Sequence, residues 1–441
     1  MKAIVIVVHG WNVSWLGPYG NEWVLTPNLD RLAAEGVAFD QHIADLPDPA
    51  LAWQTLWSGR YSFPSRTTKP QPSPISLATL PEREIQTIWL PDLRSAPSRE
   101  EEECWETIIA PRRDADSGPE VALIAAAEAG IEVLTTAAKS LLWIETDRPL
   151  PPWSINDDVF AAYYDACGPL LEEDEDAIAS NGESGAEEMP PPWVDPPSGE
   201  VESFSERDWR RLAAGVASVT SQLDTELGEI FERLREAGLD QDCLWVVTAS
   251  AGLPLGEHGH IGYQRSLLYE DRTHVPLIMR LPGGREAGRR VDSLTQPVDI
   301  LPTLLEWFQH SPSSVAHGKS LLPLATRRSD PIREYAVSGL GGGEGTEWAL
   351  QTPQWKLILP ARSGAEDAGR SPQLFEKPDD RWEVNDLRAK HLEWTEHLEE
   401  RLHAFVAAAA ADGPLAAPRL ESYDEFLKTL SPAGEPEKDN A

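Results

Sequence analysis

One stretch near the middle of the chain constrains the fold more than any other. Residues 244–249, LWVVTA, form a run without polar alternation, which predicts a strand buried on both faces. We expect this strand to end in Ser250, Ala251 and Gly252, before a loop that carries Gly256 and Gly259. Ligands of open α/β sheets bind beyond the carboxyl ends of the strands, so a functional site is expected just after residue 248. The residues found there are small and mostly apolar, and they offer few reactive groups.

Other apolar runs extend the same architecture. The segments 3–8 (AIVIVV), 85–90 and 141–146 (LLWIET) predict further strands. Apolar residues recur at spacings of three and four between about 206 and 237, which predicts a long helix that Gly238 ends. This helix leads directly into strand 244–249, as in the crossovers of doubly wound sheets. We therefore predict an α/β fold, with a mainly parallel sheet and helices on both faces.

The chain divides into three predicted parts. Residues 1–328 form the α/β domain, in which the acidic, proline-rich segment 171–200 is expected to be a disordered insertion. Residues 329–412 are expected to form a small C-terminal α+β subdomain, an antiparallel sheet with a helix against it. Its predicted strands are 335–338, 347–351 and 355–359, and its helix is 392–411. Residues 413–441 are expected to be a loose tail.

Composition limits the partners of such a chain. The net charge of −35 disfavours nucleic acids and anionic membrane surfaces, because both carry dense negative charge. The three cysteines are scattered, which argues against a disulfide framework and against a zinc site. No secretory signal is visible and no apolar run reaches the roughly 20 residues of a membrane span, so we expect a cytoplasmic location.

A series of motifs carries a resemblance to a known family. The segment 16–39, LGPYGNEWVLTPNLDRLAAEGVAF, is followed in order by SGRY, LGEHG, SLLYED, VPLIMRLPG, QPVDILPTLLEW, QWKLILP and QLFEKPDDRWEVNDL, from residue 58 to 387. In this order they resemble the sulfatase family of the alkaline phosphatase superfamily. The resemblance covers about residues 1–410 and implies an alkaline phosphatase-like fold.

That resemblance also implies a specific chemistry. Sulfatases use a Cys or Ser that is oxidised to formylglycine, and a divalent cation held by two Asp after the first strand. An Asp with a His or Asn after the later strand completes the ligand set. Hard cations need several oxygen ligands, and the cation favours the ionised nucleophile.

The corresponding positions of this chain lack those groups. The paired Asp align with His9 and Gly10, the nucleophile with Pro49, and the later ligands with Ser250 and Ala251. The Arg of the nucleophile motif aligns with Trp53, and the two family lysines fall near Arg265 and Pro91. The resemblance therefore predicts a sulfatase-like chain without its nucleophile and metal ligands. We expect no catalytic residue, no metal and no other cofactor.

Several polar and aromatic side chains remain as candidates for a residual pocket: His9, Asn12, Trp53, Arg60, Ser250, Glu257, His258 and His260. His9 with His258 and His260 could bind a softer metal, although a hydrogen-bonded His at a strand end is the simpler interpretation. The four tryptophans at 11, 15, 53 and 57 are expected near the former active site. They could stack on a ligand, or they could fill the space that metal and sulfate vacated.

Two functions remain open from the sequence. The first is a non-catalytic binding or scaffolding protein, whose partner is an unknown small molecule or protein. The alternative is a sulfuric ester or phosphoester hydrolase with a rebuilt active site.

Overall fold

A computed structural model describes residues 1–63, 76–91, 98–110, 119–167, 189–263, 268–311, 315–327, 330–341, 346–360, 370–411 and 413–430. Its strands are β1 (Lys2–Gly10), β2 (Val37–His42), β3 (Gln86–Leu90), β4 (Thr107–Ile108), β5 (Ser140–Thr146), β6 (Gly199–Glu200), β7 (Cys243–Gly252), β8 (His260–Ile261), β9 (Leu277–Arg280), β10 (Arg289–Thr295), β11 (Ala336–Leu340), β12 (Glu347–Gln351), β13 (Trp355–Leu359) and β14 (Gln373–Glu376). Its α-helices are α1 (Pro27–Glu35), α2 (Trp53–Ser58), α3 (Arg99–Glu102), α4 (Pro119–Thr136), α5 (Asp157–Ala166), α6 (Glu206–Glu236), α7 (Glu270–Thr273), α8 (Ile300–Trp307), α9 (Leu322–Ala325), α10 (Leu392–Ala409) and α11 (Tyr423–Leu430).

The large sheet contains eight of these strands in the order β10-β2-β9-β7-β1-β5-β3-β4. The strand β1 lies at its centre, parallel to β5 on one side and to β7 on the other. The three apolar runs at 3–8, 141–146 and 244–249 thus lie in one mainly parallel sheet, as predicted, and they are adjacent in it. Only β9 runs antiparallel to its neighbours β2 and β7, so the sheet is mainly parallel.

Each face of this sheet has its own hydrophobic core because successive side chains of a strand point to opposite faces. Ala3, Val5 and Val7 face a core that also contains residues of α2, α8 and α9. Ile4, Ile6 and Val8 face a second core with α1, α4 and α6. The predicted helices on both faces are therefore confirmed.

The long helix α6 begins with a capping box, in which Ser205 and Asp208 satisfy each other's backbone N–H groups. Its buried apolar stripe places Leu223, Leu227 and Ile230 against the sheet. The helix ends close to the predicted residue, and Gly238 follows with φ of 72°.

The C-terminal part is a four-stranded antiparallel sheet in the order β11-β12-β13-β14. Helix α10 packs against it through Trp394, Leu398 and Leu402. The expectation of a loose tail from residue 413 is wrong for 413–430, because α11 docks on α10. Phe426 is buried and its ring centroid lies 5.0 Å from that of Trp394. Residues 431–441 lie outside the described residues.

The acidic segment 171–200 also differs from its expected disorder in its described part. Residues 189–200 contact helix α6 of the domain. The guanidinium carbon of Arg211 lies 4.5 Å from the centroid of the Trp193 ring. Strand β6, at the end of the segment, pairs with β8. A few aromatic contacts thus fix a stretch whose composition alone favours disorder. The remainder, 171–188, lies outside the described residues. Among the helices that the structure describes, none combines the length and apolarity needed to cross a membrane.

Candidate functional site

The carboxyl ends of β1 and β7 bring together two of the candidate residues. Val8 pairs with Ala249, and Gly10 pairs with Gly252 after a local shift of register, so His9 and Ser250 lie side by side. His9 Nδ1 and Ser250 Oγ are 2.7 Å apart, and both side chains are buried. The interpretation of His9 as a hydrogen-bonded residue at a strand end is confirmed. Asp147, which the sequence did not single out, follows β5 at the same edge, because Thr146 pairs with Val8.

Gly10 is covered by its neighbours. Its φ is +98°, and a Cβ atom at this position would lie 2.6 Å from Leu150 Cδ2 and 3.3 Å from Pro149 Cβ. A side chain here would therefore need both a left-handed backbone conformation and displacement of Leu150. The space that a metal-binding carboxylate would occupy at residue 10 is filled by apolar packing.

The segment before α2 contains Pro49, the residue that we aligned with the family nucleophile from the sequence. The buried Arg272 anchors this segment, because its Nε donates to the Pro47 carbonyl at 3.0 Å. Helix α2 follows and ends at Gly59, whose left-handed conformation (φ 62°) closes the last turn.

Arg60 and Trp53 do not contribute to a pocket at the strand ends. The Arg60 guanidinium donates to the carbonyl oxygens of Val315 at 2.6 Å and Gly413 at 3.2 Å, so it ties α2 to distant loops. Trp53 contacts Trp57, with ring centroids 5.3 Å apart.

The expectation that four tryptophans cluster near the former active site is wrong in part. Trp57 lies in the core of one sheet face, where its ring meets those of Trp89 and Trp105. Trp11 lies in the core of the opposite face, and Trp15 packs in other clusters. The sheet separates the two pairs, because Trp11 and Trp15 follow β1 whereas α2 packs on the other side.

A small open cleft contains three of the remaining candidates, Asn12, Glu257 and His258. Its other lining residues include Glu270, Asp271, Arg381 and Trp382, and its volume of about 20 Å³ is that of about one water molecule. Asn12 lies at its floor with 2% of its surface exposed, whereas Glu257 and Trp382 are exposed at the rim. The cleft opens beyond the carboxyl end of β1, where an α/β sheet is expected to bind ligands.

Asn12 and Asp271 meet in this cleft. A Cβ atom at Gly252 would lie 2.0 Å from the Asp271 carbonyl oxygen and 2.7 Å from Asn12 Cβ, so glycine permits their close approach. Asn12 Oδ1 accepts the backbone N–H of Ser14 at 2.9 Å, which fixes the orientation of the amide. Within the described residues, Asn12 Nδ2 and Asp271 Oδ1 are buried atoms without a hydrogen-bond partner.

Burial and neighbouring charges set the protonation of the cleft. Burial raises the pKa of Asp271 well above its ordinary value, and the charges of Glu257 and Glu383 raise it further. For Glu270 burial alone would raise the pKa, but the hydrogen bond and charge of His274 and the charge of Lys377 lower it overall. Burial, with Lys356 and Lys377 nearby, lowers the pKa of His258 to about 4. His258 is therefore neutral near pH 7 and stacks on Tyr269, with ring centroids 3.6 Å apart.

Two buried lysines lie behind the cleft. Lys356 Nζ and Lys377 Nζ are each 2.9 Å from Glu383 Oε1, and Lys377 also pairs with Glu270. These ion pairs join α7 to the turn after β14. Sequence reasoning missed this group because its members come from segments that are far apart along the chain.

His260 is buried in β8 and is not part of the cleft lining. In the part of the chain that the structure describes, no three His, Cys, Asp or Glu side chains are grouped so that they could hold a metal ion. The imidazole cluster of His9, His258 and His260 is therefore not formed. Arg265, the cation nearest to a family lysine position, lies outside the described residues.

Comparison with known proteins defines the class of this fold. The phosphonate monoester hydrolase of Agrobacterium radiobacter superposes with a TM-score of 0.68 at 19% identity, covering 92% of this chain and 96% of that one. A structure solved in complex with its substrate D-glucosamine-2-N,6-O-disulfate gives a TM-score of 0.69 at 15% identity, covering 91% of this chain and 96% of the other. The fold of this chain is therefore alkaline phosphatase-like, as in these two structures.

Sequence comparison finds matches to part of the chain. The Sulfatase family model matches residues 180–310. Arylsulfatase K of Bos taurus is 28% identical over 212 residues, which are 46% of this chain and 38% of that protein. These matches show that part of this chain is similar to the sulfatase family of the alkaline phosphatase superfamily. Its match spans about two fifths of the length of these curated relatives.

Proposed function

We propose that this protein is a non-catalytic member of the sulfatase family that acts by binding a small molecule or a protein. The observation that carries the proposal is the state of the aligned catalytic positions. Pro49 replaces the nucleophile, and Gly10 is closed over by Leu150. Proline has no side-chain heteroatom, so it can neither attack sulfur nor become formylglycine.

The metal site is altered in the same way. Where the family needs oxygen ligands for a hard cation, this chain has His9, Gly10, Ser250 and Ala251. Glycine and alanine supply no ligand atom. His9 and Ser250 are hydrogen-bonded to each other at 2.7 Å. Nucleophile and metal act as one unit in such enzymes, so their joint replacement argues against residual sulfatase chemistry.

Location and partner class complete the proposal. Cysteines 104, 167 and 243 form no disulfide with one another in the described part of the chain, which fits a reducing compartment such as the cytoplasm. The net charge of −35 repels polyanions, so the partner is a small molecule or a protein instead of nucleic acid or an anionic membrane.

A hydrolase with a rebuilt site is the second candidate, and the pair of His9 and Ser250 favours it. A serine hydroxyl hydrogen-bonded to an imidazole is the arrangement of a nucleophile and its general base. Against it, Ser250 is only 1% exposed, so a substrate would need a local opening to reach its oxygen.

The test is turnover of 4-nitrophenyl sulfate and 4-nitrophenyl phosphate by the purified protein, with calcium, magnesium, manganese or zinc added. The proposal predicts no release of 4-nitrophenol above the rate without protein. Turnover that EDTA abolishes and that His9→Ala removes would replace the proposal by a rebuilt metal site. Metal-independent turnover that Ser250→Ala removes would instead support the serine nucleophile.

A further inference from the structure

Two large apolar side chains are exposed on the turn at residues 380–385, which follows β14. Trp382 is 55% exposed and Val384 is 74% exposed, whereas the residue between them, Glu383, is 3% exposed. Single exposed apolar residues are ordinary on protein surfaces, so exposure alone indicates no function. This pair is different because buried charges and an unfavourable backbone conformation hold both side chains outward.

The side chain of Glu383 fixes the turn from the inside. Its carboxylate lies 2.9 Å from the ammonium groups of Lys356 and Lys377, and it accepts the backbone N–H of Glu270 at 2.9 Å. Burial of such charges carries a desolvation penalty. Glu383 also has a left-handed backbone conformation, with φ of 54°, which is unfavourable for a residue with a side chain. Residues in such conformations persist where the surrounding structure fixes them, and they are common at binding sites.

Asp380 fixes the outer half of the same turn. Its carboxylate accepts the backbone N–H groups of Val384 at 3.0 Å and of Asn385 at 2.8 Å. Trp382 and Val384 therefore project from a turn whose backbone loses little conformational freedom when a partner covers it. Preorganisation of this kind raises affinity. Tryptophan is also among the residues that most often dominate the binding energy of protein interfaces.

The turn lies at the edge of the sheet where this fold places its ligands. Trp382 lines the same cleft as Asn12 and His258, beyond the carboxyl end of β1. This cleft has room for about one water molecule, and the neighbouring cleft beside Gly10 is smaller, at about 10 Å³. Neither cleft can enclose an organic molecule, so a partner at this edge must bind on the surface, as proteins do.

We propose that the turn at residues 380–385 is the docking site for a protein partner that has an apolar pocket bordered by Lys and Arg side chains. The pocket receives Trp382 and Val384, and its border faces the acidic side chains around them. This inference rests on the binding role in the proposed function, and it names the class of the partner.

The charge around the turn selects the basic border. Residues 376–386 contain five acidic and two basic residues. One of the basic residues, Lys377, is buried and paired with acidic side chains. The other, Arg381, has its guanidinium carbon 5.3 Å from the centroid of the Trp382 ring. Three of the acidic residues are exposed: Glu376, Asp379 and Asp386. Opposite charges at the border of an interface steer association and exclude partners of the wrong charge.

The experiment is a selection of random dodecapeptides displayed on phage, with the immobilised full chain as the target. Each selected peptide is then synthesised with a fluorescent label, and its Kd for the full chain is measured by fluorescence anisotropy. We expect selected sequences that combine apolar residues with Lys or Arg. We also expect Kd to rise with sodium chloride concentration, because salt screens the contacts at the border.

Variants assign the binding to the turn. Trp382→Ala should weaken peptide binding by about tenfold or more, and Val384→Ala by about threefold, because both side chains enter the interface. Leu25→Ala is the matched control, since Leu25 is 66% exposed and its backbone N–H donates to Tyr163 of α5, away from the turn. It should leave Kd unchanged. All three substitutions shorten exposed side chains, so the variants should fold as the wild type does.

Three results would overturn the proposal. They are a selection that yields no peptide with saturable binding, selected peptides that lack basic residues, and an unchanged Kd in Trp382→Ala. Ester turnover by the protein would end the proposed function without changing any of these titrations. A failed selection would end the docking site and leave the absence of catalysis standing, so the two failures are distinguishable.

Discussion

Closure of the former metal position by Leu150 can be measured as a stability difference. Gly10 and Gly20 both have φ of +98°, but only Gly10 has neighbours where a Cβ atom would go. Replacing either by alanine introduces left-handed strain of about 1–2 kcal/mol, partly offset by the reduced freedom of the unfolded chain. At Gly10 the new methyl would also lie 2.6 Å from Leu150 Cδ2, and overpacking of this kind costs about 1–3 kcal/mol more.

The assay is urea unfolding followed by circular dichroism, for the wild type, Gly10→Ala and Gly20→Ala. We expect Gly10→Ala to be less stable than Gly20→Ala by about 1–3 kcal/mol. In a double-mutant cycle, Leu150→Ala should cost less in the Gly10→Ala background than in the wild type, because it removes the clash. Equal stabilities of the two alanine variants, or simple additivity with Leu150→Ala, would refute the closure of this position.

Two further predictions concern burial. Burial raises the pKa of Asp45 to about 7, so its ionisation costs folding free energy as pH rises from about 4, near the pKa of the unfolded carboxyl, to above 7. Urea unfolding should therefore show that the stability of Asp45→Asn minus that of the wild type rises by up to about 4 kcal/mol from pH 4 to pH 8. A stability difference that does not change with pH would contradict the raised pKa. Phe426→Ala should lower the free energy of unfolding by about 3 kcal/mol, because Phe426 packs on Trp394. Leu427 is an exposed residue of the same helix, so Leu427→Ala should change that free energy by less than about 0.5 kcal/mol. Equal effects of the two substitutions would show that α11 is not docked.

Much of the fold follows from local patterns. The apolar runs of β1, β5 and β7 predict central strands because a strand buried on both faces needs no polar alternation. The stripe of α6 and the stop at Gly238 predict its length to within a residue or two. The antiparallel direction of β9 could not be predicted, because a short apolar run has the same pattern in a parallel and in an antiparallel strand.

The docking of α11 was missed for a related reason. Its apolar residues Tyr423, Phe426 and Leu430 have helical spacing, but the helix is short and polar around them. Its contacts with Trp355, His391 and Trp394 stabilise it, and those contacts depend on the positions of β13 and α10. Trp193 fixes the end of the acidic segment in the same way, through Arg211.

The candidate site was predictable only in part. The neighbours His9 and Ser250 follow from two parallel strands that end at one edge, which the sequence indicates. The cleft of Asn12, Asp271 and Glu257 depends on the conformations of loops, and hydrophobic periodicity does not predict loop conformations. The lysines 356 and 377 look like ordinary strand and turn residues until the tertiary structure buries them beside Glu383.

The central claim is that the family's metal centre is gone, and metal content tests it most directly. Purified protein would be dialysed against calcium, magnesium, manganese or zinc, passed through a desalting column and measured by inductively coupled plasma mass spectrometry. Loss of the oxygen ligands at His9, Gly10, Ser250 and Ala251 predicts no stoichiometric metal under any of these conditions. One bound metal per chain that disappears in both His9→Ala and Ser250→Ala would contradict the claim and establish a rebuilt centre at the ends of β1 and β7.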